Sequence, residues 1–212
     1  MIKIDIVSDT VCPWCYIGKK RLDKAIEDFK DQDFDINWHA FQLNPTMPKS
    51  GIDRQLYLST KFGGHERANN VYKQIKNAGI SSDISFNFNE IKIMPNSFYS
   101  HMLIEFSKEE GLQNKICEEL FKAFFIHGKN IGEFNELNNI AKLNNIKNFS
   151  KDLINSRKDL AKKVQESDNI SRSKGIGGVP FFIINDHYAI SGAQESEVFK
   201  KIFETCLLES KV

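Results

Sequence analysis

The sequence predicts an α/β fold in which a β-α-β start and an α-β-β-α end bracket a large helical insertion. Three observations carry this. An apolar strand pattern at residues 2–8 leads into an amphipathic helical stretch and then into a second strand pattern. The middle of the chain places its apolar residues mostly at helical spacing. Near the end, two short apolar runs flank Asn185-Asp186, a pair that tolerates the positive φ of a tight hairpin.

Each element follows from its residues. Residues 2–8 are rich in Ile and Val and form the first strand. A helix is expected over about 14–30, with Leu22, Ala25, Ile26 and Phe29 on one face and Lys and Asp on the other. Phe34, Ile36, Trp38 and Ala40 alternate as a second strand. A strand-helix-strand unit of this length makes the two strands parallel. Pro45, Pro48 and Gly51 end the unit. A short helix at 56–62 precedes another marked by Ala68, Val71, Tyr72 and Ile75, with Gly79 expected as its C-cap. Residues 86–94 are ambiguous, with an extended conformation open. Pro95-Asn96-Ser97 starts a helix through Phe98, Met102 and Phe106. Further helices are marked by Ile116, Leu120, Ala123 and Phe124, and by Leu137, Ile140 and Ala141. Leu160 and Val164 head one that stops near Lys174-Gly175. Residues 179–184 and 187–190 are the hairpin strands. The closing helix, 195–208, carries Val198, Phe199, Ile202, Phe203 and Cys206 on one face. The expected division is 1–44 and 161–212 for the two parts of the α/β unit and 45–160 for the insertion. No repeat or low-complexity linker separates them, so the insertion must pack on its parent.

Composition excludes several classes. The 212 residues are 41% hydrophobic and 11% aromatic, which is globular. The 29 basic and 28 acidic residues leave a net charge of +1, not the basic footprint of a nucleic-acid binder. No run of apolar residues is long enough to span a membrane. The chain enters its first strand without a basic and apolar leader, so a cytoplasmic location is expected.

The four cysteines point to redox chemistry. Cys12 and Cys15 lie three apart, whereas Cys117 and Cys206 are isolated. That is too sparse for a disulfide framework. Zinc needs a second Cys or His pair at ligand spacing, and the five histidines form none, so no metal site is expected. A thiolate is the attacking species in disulfide exchange. Cys12 stands where a strand gives way to a helix, whose unpaired N–H groups and dipole favour negative charge. Pro13 suits a first helical turn because its missing N–H would lack a partner there. Cys15, one turn on, is placed to attack a mixed disulfide at Cys12. Cys12 is therefore the expected nucleophile, partly exposed, and Cys15 the resolving thiol. Val179-Pro180 on its own reads as an ordinary trans bond at a strand start.

The chain resembles the DsbA family, and within it the FrnE-like branch, over nearly its whole length. The resemblance runs through residues 8–18 (Ser-Asp-Thr-Val-Cys-Pro-Trp-Cys-Tyr-Ile-Gly) and 41–45 (Phe-Gln-Leu-Asn-Pro). It continues through Asn96-Ser97, His101 and 120–125, and ends with 177–182 (Gly-Gly-Val-Pro-Phe-Phe) and 190–194 (Ile-Ser-Gly-Ala-Gln). It implies a thioredoxin fold with an all-helical insertion. It also implies a cis-proline loop at Val179-Pro180 facing the cysteines. There the backbone of Gly178, Val179 and Pro180 pairs with an extended protein or peptide substrate. The redox group is then the Cys12–Cys15 pair itself, with glutathione as a possible co-substrate and no other cofactor. The recycling partner is not legible.

Departures from the family matter. DsbA carries His where Trp14 stands, so Pro13 and Trp14 tune this motif differently. Many thioredoxin-fold enzymes bury an acid where this chain has Ile6; the neighbouring Asp5 is expected to be solvated or capping. The C-terminal Cys pair of some FrnE proteins is absent, since Cys206 stands alone. Cys117 and Cys206 read as packed thiols, and His39 and His101 as hydrogen-bonded structural residues. Phe121, Phe124 and Phe125 read as insertion core. The competing function is glutathione-dependent chemistry of the 2-hydroxychromene-2-carboxylate isomerase or kappa glutathione transferase kind. Those relatives place Ser at the position of Cys12 and lack the second Cys.

Overall fold

A computed structural model describes residues 1–209 and has the predicted architecture. Strand β1 (Ile2–Ser8) runs into helix α1 (Pro13–Ile26), and β2 (Phe34–Ala40) returns parallel to β1, with Ile4 opposite Ile36. At the other end of the chain, β5 (Phe181–Ile184) and β6 (Tyr188–Ser191) form the hairpin, followed by α9 (Ser196–Glu209). Asn185 and Asp186 both take positive φ, as the two-residue turn requires. The sheet order is β2-β1-β5-β6, with β5 antiparallel to β1. This is a thioredoxin fold carrying a helical insertion.

The sheet has two unlike faces. Ile2, Ile4 and Ile6 point into a core shared with Phe182, Phe199 and Phe203, where α1 and α9 pack together. Lys3, Asp5 and Val7 point the other way, into an open groove against α8 (Lys158–Ser173). Asp5 is not solvated, as the sequence suggested. It is 9% exposed, 2.8 Å from His39 Nε2 and 3.0 Å from Lys3 Nζ. Burial works to raise its carboxyl, but the bonds from His39 and Lys3 outweigh that and hold it below its ordinary value.

The insertion contributes β3 (Ile52–Asp53), α2 (Arg54–Phe62), α3 (His65–Ile80), β4 (Ile93–Met94) and α4 (Phe98–Phe106). It continues with α5 (Gln113–Phe125), α6 (Phe134–Leu143) and α7 (Lys151–Ser156). Phe121, Phe124 and Phe125 are buried at its centre. Tyr16 of α1 joins it to the parent fold, stacking on Phe121 at 5.1 Å between ring centroids.

Several local expectations are corrected. Helix α1 ends at Ile26, four residues early; beyond it only Phe29 turns inward to meet Phe203. Gly79 is not a C-cap. It lies within α3, which Ser81 caps, and a Cβ there would come within 2.5 Å of the Phe86 ring. Close packing of the following loop, rather than a left-handed turn, requires that glycine. Residues 86–94 hold a 3₁₀ turn at Phe88–Glu90 and the short β4, which pairs antiparallel with β3. The first hairpin strand begins at Phe181, after Pro180. The sequence reading missed α7, whose N-cap Ser150 accepts from Leu153 N–H.

Candidate active site

The turn between β1 and α1 is built from backbone hydrogen bonds. Asp9 C=O accepts from Cys12 N–H at 3.0 Å, and the Asp9 carboxylate accepts from Val11 N–H at 3.4 Å. Cys12 is the N-cap of α1 with an extended backbone, and Pro13 takes the first helical position. Cys12 C=O then accepts from Cys15 N–H at 3.0 Å. The two sulfurs thus share the first turn, where the helix end favours negative charge.

Sequence-distant residues complete the site. The Val179–Pro180 peptide is cis, and the Cys12 thiol donates to Val179 C=O with sulfur and oxygen 3.6 Å apart. Gly192 N–H donates to Pro180 C=O at 2.9 Å, tying the loop to β6. Gly178, the third residue of the expected substrate-binding loop, is exposed, and beyond its chain neighbours no heavy atom lies within 4 Å of where a Cβ would stand.

Gly18 sets how closely the two halves approach. A Cβ there would lie 3.0 Å from Pro180 Cγ and 3.1 Å from the Phe182 ring. Gly18→Ala is therefore expected to cost about 1–3 kcal/mol by overpacking. Urea denaturation checks this, and a variant as stable as the parent would show that the proline loop gives way freely.

Exposure is arranged differently from expectation. Cys12 is 4% exposed rather than partly open, because the Val179–Pro180 loop covers it; Trp14 is 37% exposed beside it. Cys15 is 1% exposed. Burial pushes the Cys15 thiol well above its ordinary value, and the hydrogen bond with Cys12 adds to this. The Ser8 hydroxyl and a backbone bond with Asp9 oppose it weakly. All four cysteines are free thiols, and Cys117 and Cys206 are buried on helix faces as expected.

Sequence reasoning missed the polar cluster beneath the motif. Asp9 is fully buried, accepting from Leu43 N–H at 2.7 Å and lying 3.3 Å from His101 Nε2. One carboxylate thus ties the cysteine turn to α4 and to Leu43, and Leu43 and Val179 both pack against the small cluster of Val7, Phe41 and Ile176. The available signal was three polar residues, Ser8, Asp9 and Thr10, ending an apolar strand.

With the geometry in hand, the family is decided by a profile described as DSBA-like thioredoxin domain, which matches residues 3–204. The chain belongs to that family. As a DSBA-like protein it is 26% identical over 201 residues to Uncharacterized protein YwbO of Bacillus subtilis, covering 94% of each chain. It superposes on a probable DsbA oxidoreductase, SCO1869 from Streptomyces coelicolor, with a TM-score of 0.85 at 22% identity. That match covers 99% of this chain and 91% of the other. A 2-hydroxychromene-2-carboxylate isomerase shares the fold at a TM-score of 0.68 and 12% identity, covering 99% and 98%. Among the described residues no helix is long and apolar enough to cross a membrane, and no cluster of three or more His, Cys, Asp or Glu side chains could hold a metal ion.

Proposed function

We propose that this DSBA-like protein, of the FrnE-like branch, catalyses dithiol–disulfide exchange or isomerisation on protein or peptide substrates. Cys12 attacks the substrate disulfide, and Cys15 resolves the resulting mixed disulfide. One observation carries the proposal: a thiol at the first turn of α1 lies 3.6 Å from the carbonyl beside a cis proline, next to the exposed Gly177 and Gly178. Among the described residues nothing accepts the N–H of Gly178 or Val179, which leaves the loop backbone open to strand addition. The test is reduction of insulin disulfides, with dithiothreitol or glutathione as the reductant. Turnover with either establishes exchange, and failure with both overturns it.

A second reading, glutathione-dependent isomerase or transferase chemistry, has one observation in its favour, the fold shared with the isomerase. The resolving thiol at Cys15 weighs against it, since a transferase needs no second cysteine. The redox group in the favoured reading is the Cys12–Cys15 pair, with glutathione as a co-substrate. A cytoplasmic location goes with this proposal: the isolated thiols Cys117 and Cys206 are buried and unpaired with each other, as in chains without structural disulfides. Whether the pair runs as an oxidant or a reductant is set by its reduction potential against that of its compartment.

Trp14 bears on that potential. It is a neutral, half-exposed indole between the two thiols. A His there would offer a donor, or a positive charge, to the thiolate and so stabilise the reduced form. Trp14→His is expected to raise the potential by about 30 mV, equivalent to about 1.4 kcal/mol. Equilibration with glutathione buffers measures the shift, and an unchanged or more negative potential would remove Trp14 from this role.

A further inference from the structure

Resolution of a mixed disulfide requires Cys15 to lose a proton inside the protein. The inward positions of β1 are Ile2, Ile4 and Ile6, and its one carboxylate, Asp5, faces the opposite groove. No acid on the strand is therefore placed to take that proton.

A different route lies at the strand's end. A cavity of about 20 Å³, room for one water, is lined by Ser8, Thr10, Trp38, His101 and Cys117 among others. The Ser8 hydroxyl is near enough to the Cys15 thiol to favour its thiolate. The Trp38 indole N–H is buried without an acceptor among the described residues, a group that a cavity water would satisfy. His101 is 3% exposed, and its Nε2 lies 3.3 Å from Asp9 Oδ1. The fully buried Asp9 is itself held by Leu43 and Val11 N–H groups. With Nε2–H directed at Asp9, Nδ1 is the basic nitrogen, and it has no hydrogen bond to the described residues.

We propose that His101, oriented by Asp9, takes the Cys15 proton through the Ser8 hydroxyl and one cavity water. The proposal rests on the dithiol reading above. The Cys15 Sγ–Cys12 Sγ bond forms while the bond from Cys12 to the substrate sulfur breaks. The electron pair leaves on the substrate as a thiolate, and the proton moves to His101 and then to solvent. The substrate disulfide is the oxidant. Asp9 is a positioning residue. The ionisable groups that share this space with His101 are Glu105 on its own helix, His39 on β2, Cys117 on α5 and Lys163 on α8. His39 has its Nε2 taken by Asp5.

The two half-reactions can be separated with 5,5′-dithiobis(2-nitrobenzoic acid) and the reduced protein. Attack by Cys12 releases one thionitrobenzoate, and resolution by Cys15 releases a second. In His101→Gln the first release is expected to be unchanged and the second slowed at least about 10-fold, the low end or below for a lost general base. Ser8→Ala, which leaves His101 in place, should show the same pattern and serves where His101→Gln does not fold. A second step within about twofold of the parent in either folded variant overturns the relay. Absence of the first release would instead overturn the dithiol reading.

Discussion

Cys12→Ser is expected to abolish disulfide reduction, while Cys15→Ser is expected to accumulate mixed disulfides with substrate. The asymmetry follows from position. Cys12 caps α1 and meets the Val179 carbonyl at the loop edge, whereas Cys15 is enclosed and its thiol is pushed up by burial. Both start as weakly exposed thiols, so solvent access alone does not separate them. What separates them is the neighbours of each: the Val179 carbonyl for Cys12, the Ser8 hydroxyl and Asp9 backbone for Cys15. Thiolate is the reactive form, and a helix start favours it. Serine cannot form the mixed disulfide, so the loss in Cys12→Ser should be complete against background. In Cys15→Ser the covalent complex forms and lacks its resolving thiol. Non-reducing gels and intact mass spectrometry of protein mixed with oxidised insulin read both outcomes. A substrate adduct on Cys15 in Cys12→Ser, at the rate seen for Cys12 in the reciprocal variant, would reverse the roles.

Phe182→Ala should be the most destabilising single truncation near the site, by about 3–5 kcal/mol. Phe182 is fully buried, opposite Ile6 on β1 and Ile190 on β6, and meets Phe199 edge-on at 4.9 Å between centroids. Its ring also backs the close approach of Gly18 to the proline loop. Removing it leaves a void between sheet, α1 and α9 that well-packed neighbours can close only in part. Urea unfolding should show a lower midpoint with the slope retained. A loss under about 1.5 kcal/mol would mean that the core collapses around the gap.

The two residue effects test different levels of the same site. The cysteine variants each change a single atom and, on the proposed function, remove a reacting sulfur. The phenylalanine variant keeps both sulfurs and loosens the strand that follows Pro180. If Phe182→Ala remains folded in the cold, its exchange activity should fall, because the Phe182 ring backs the close approach of Gly18 to the proline loop that meets the Cys12 thiol.

Local chemistry determined much of this protein. The period-2 runs at residues 2–8 and 34–40, the Asn-Asp turn and the helical spacing of the insertion were each legible because their causes lie within a few residues. The same holds for the Cys-Pro-Trp-Cys motif at a helix start. Tertiary structure alone decided what touches what. It buried Cys12 under the proline loop, turned Asp5 to the groove, and brought His101 to Asp9 and to the cavity that Ser8 lines. It also made Gly79 and Gly18 packing glycines, through contacts with Phe86 and with Pro180 and Phe182. Such contacts join residues as far apart as 12 and 179, and no periodicity encodes a partner at that distance. The local pattern specifies a strand, a helix or a turn; the free energy of packing the insertion against the sheet selects which polar and small residues meet at the reactive thiols.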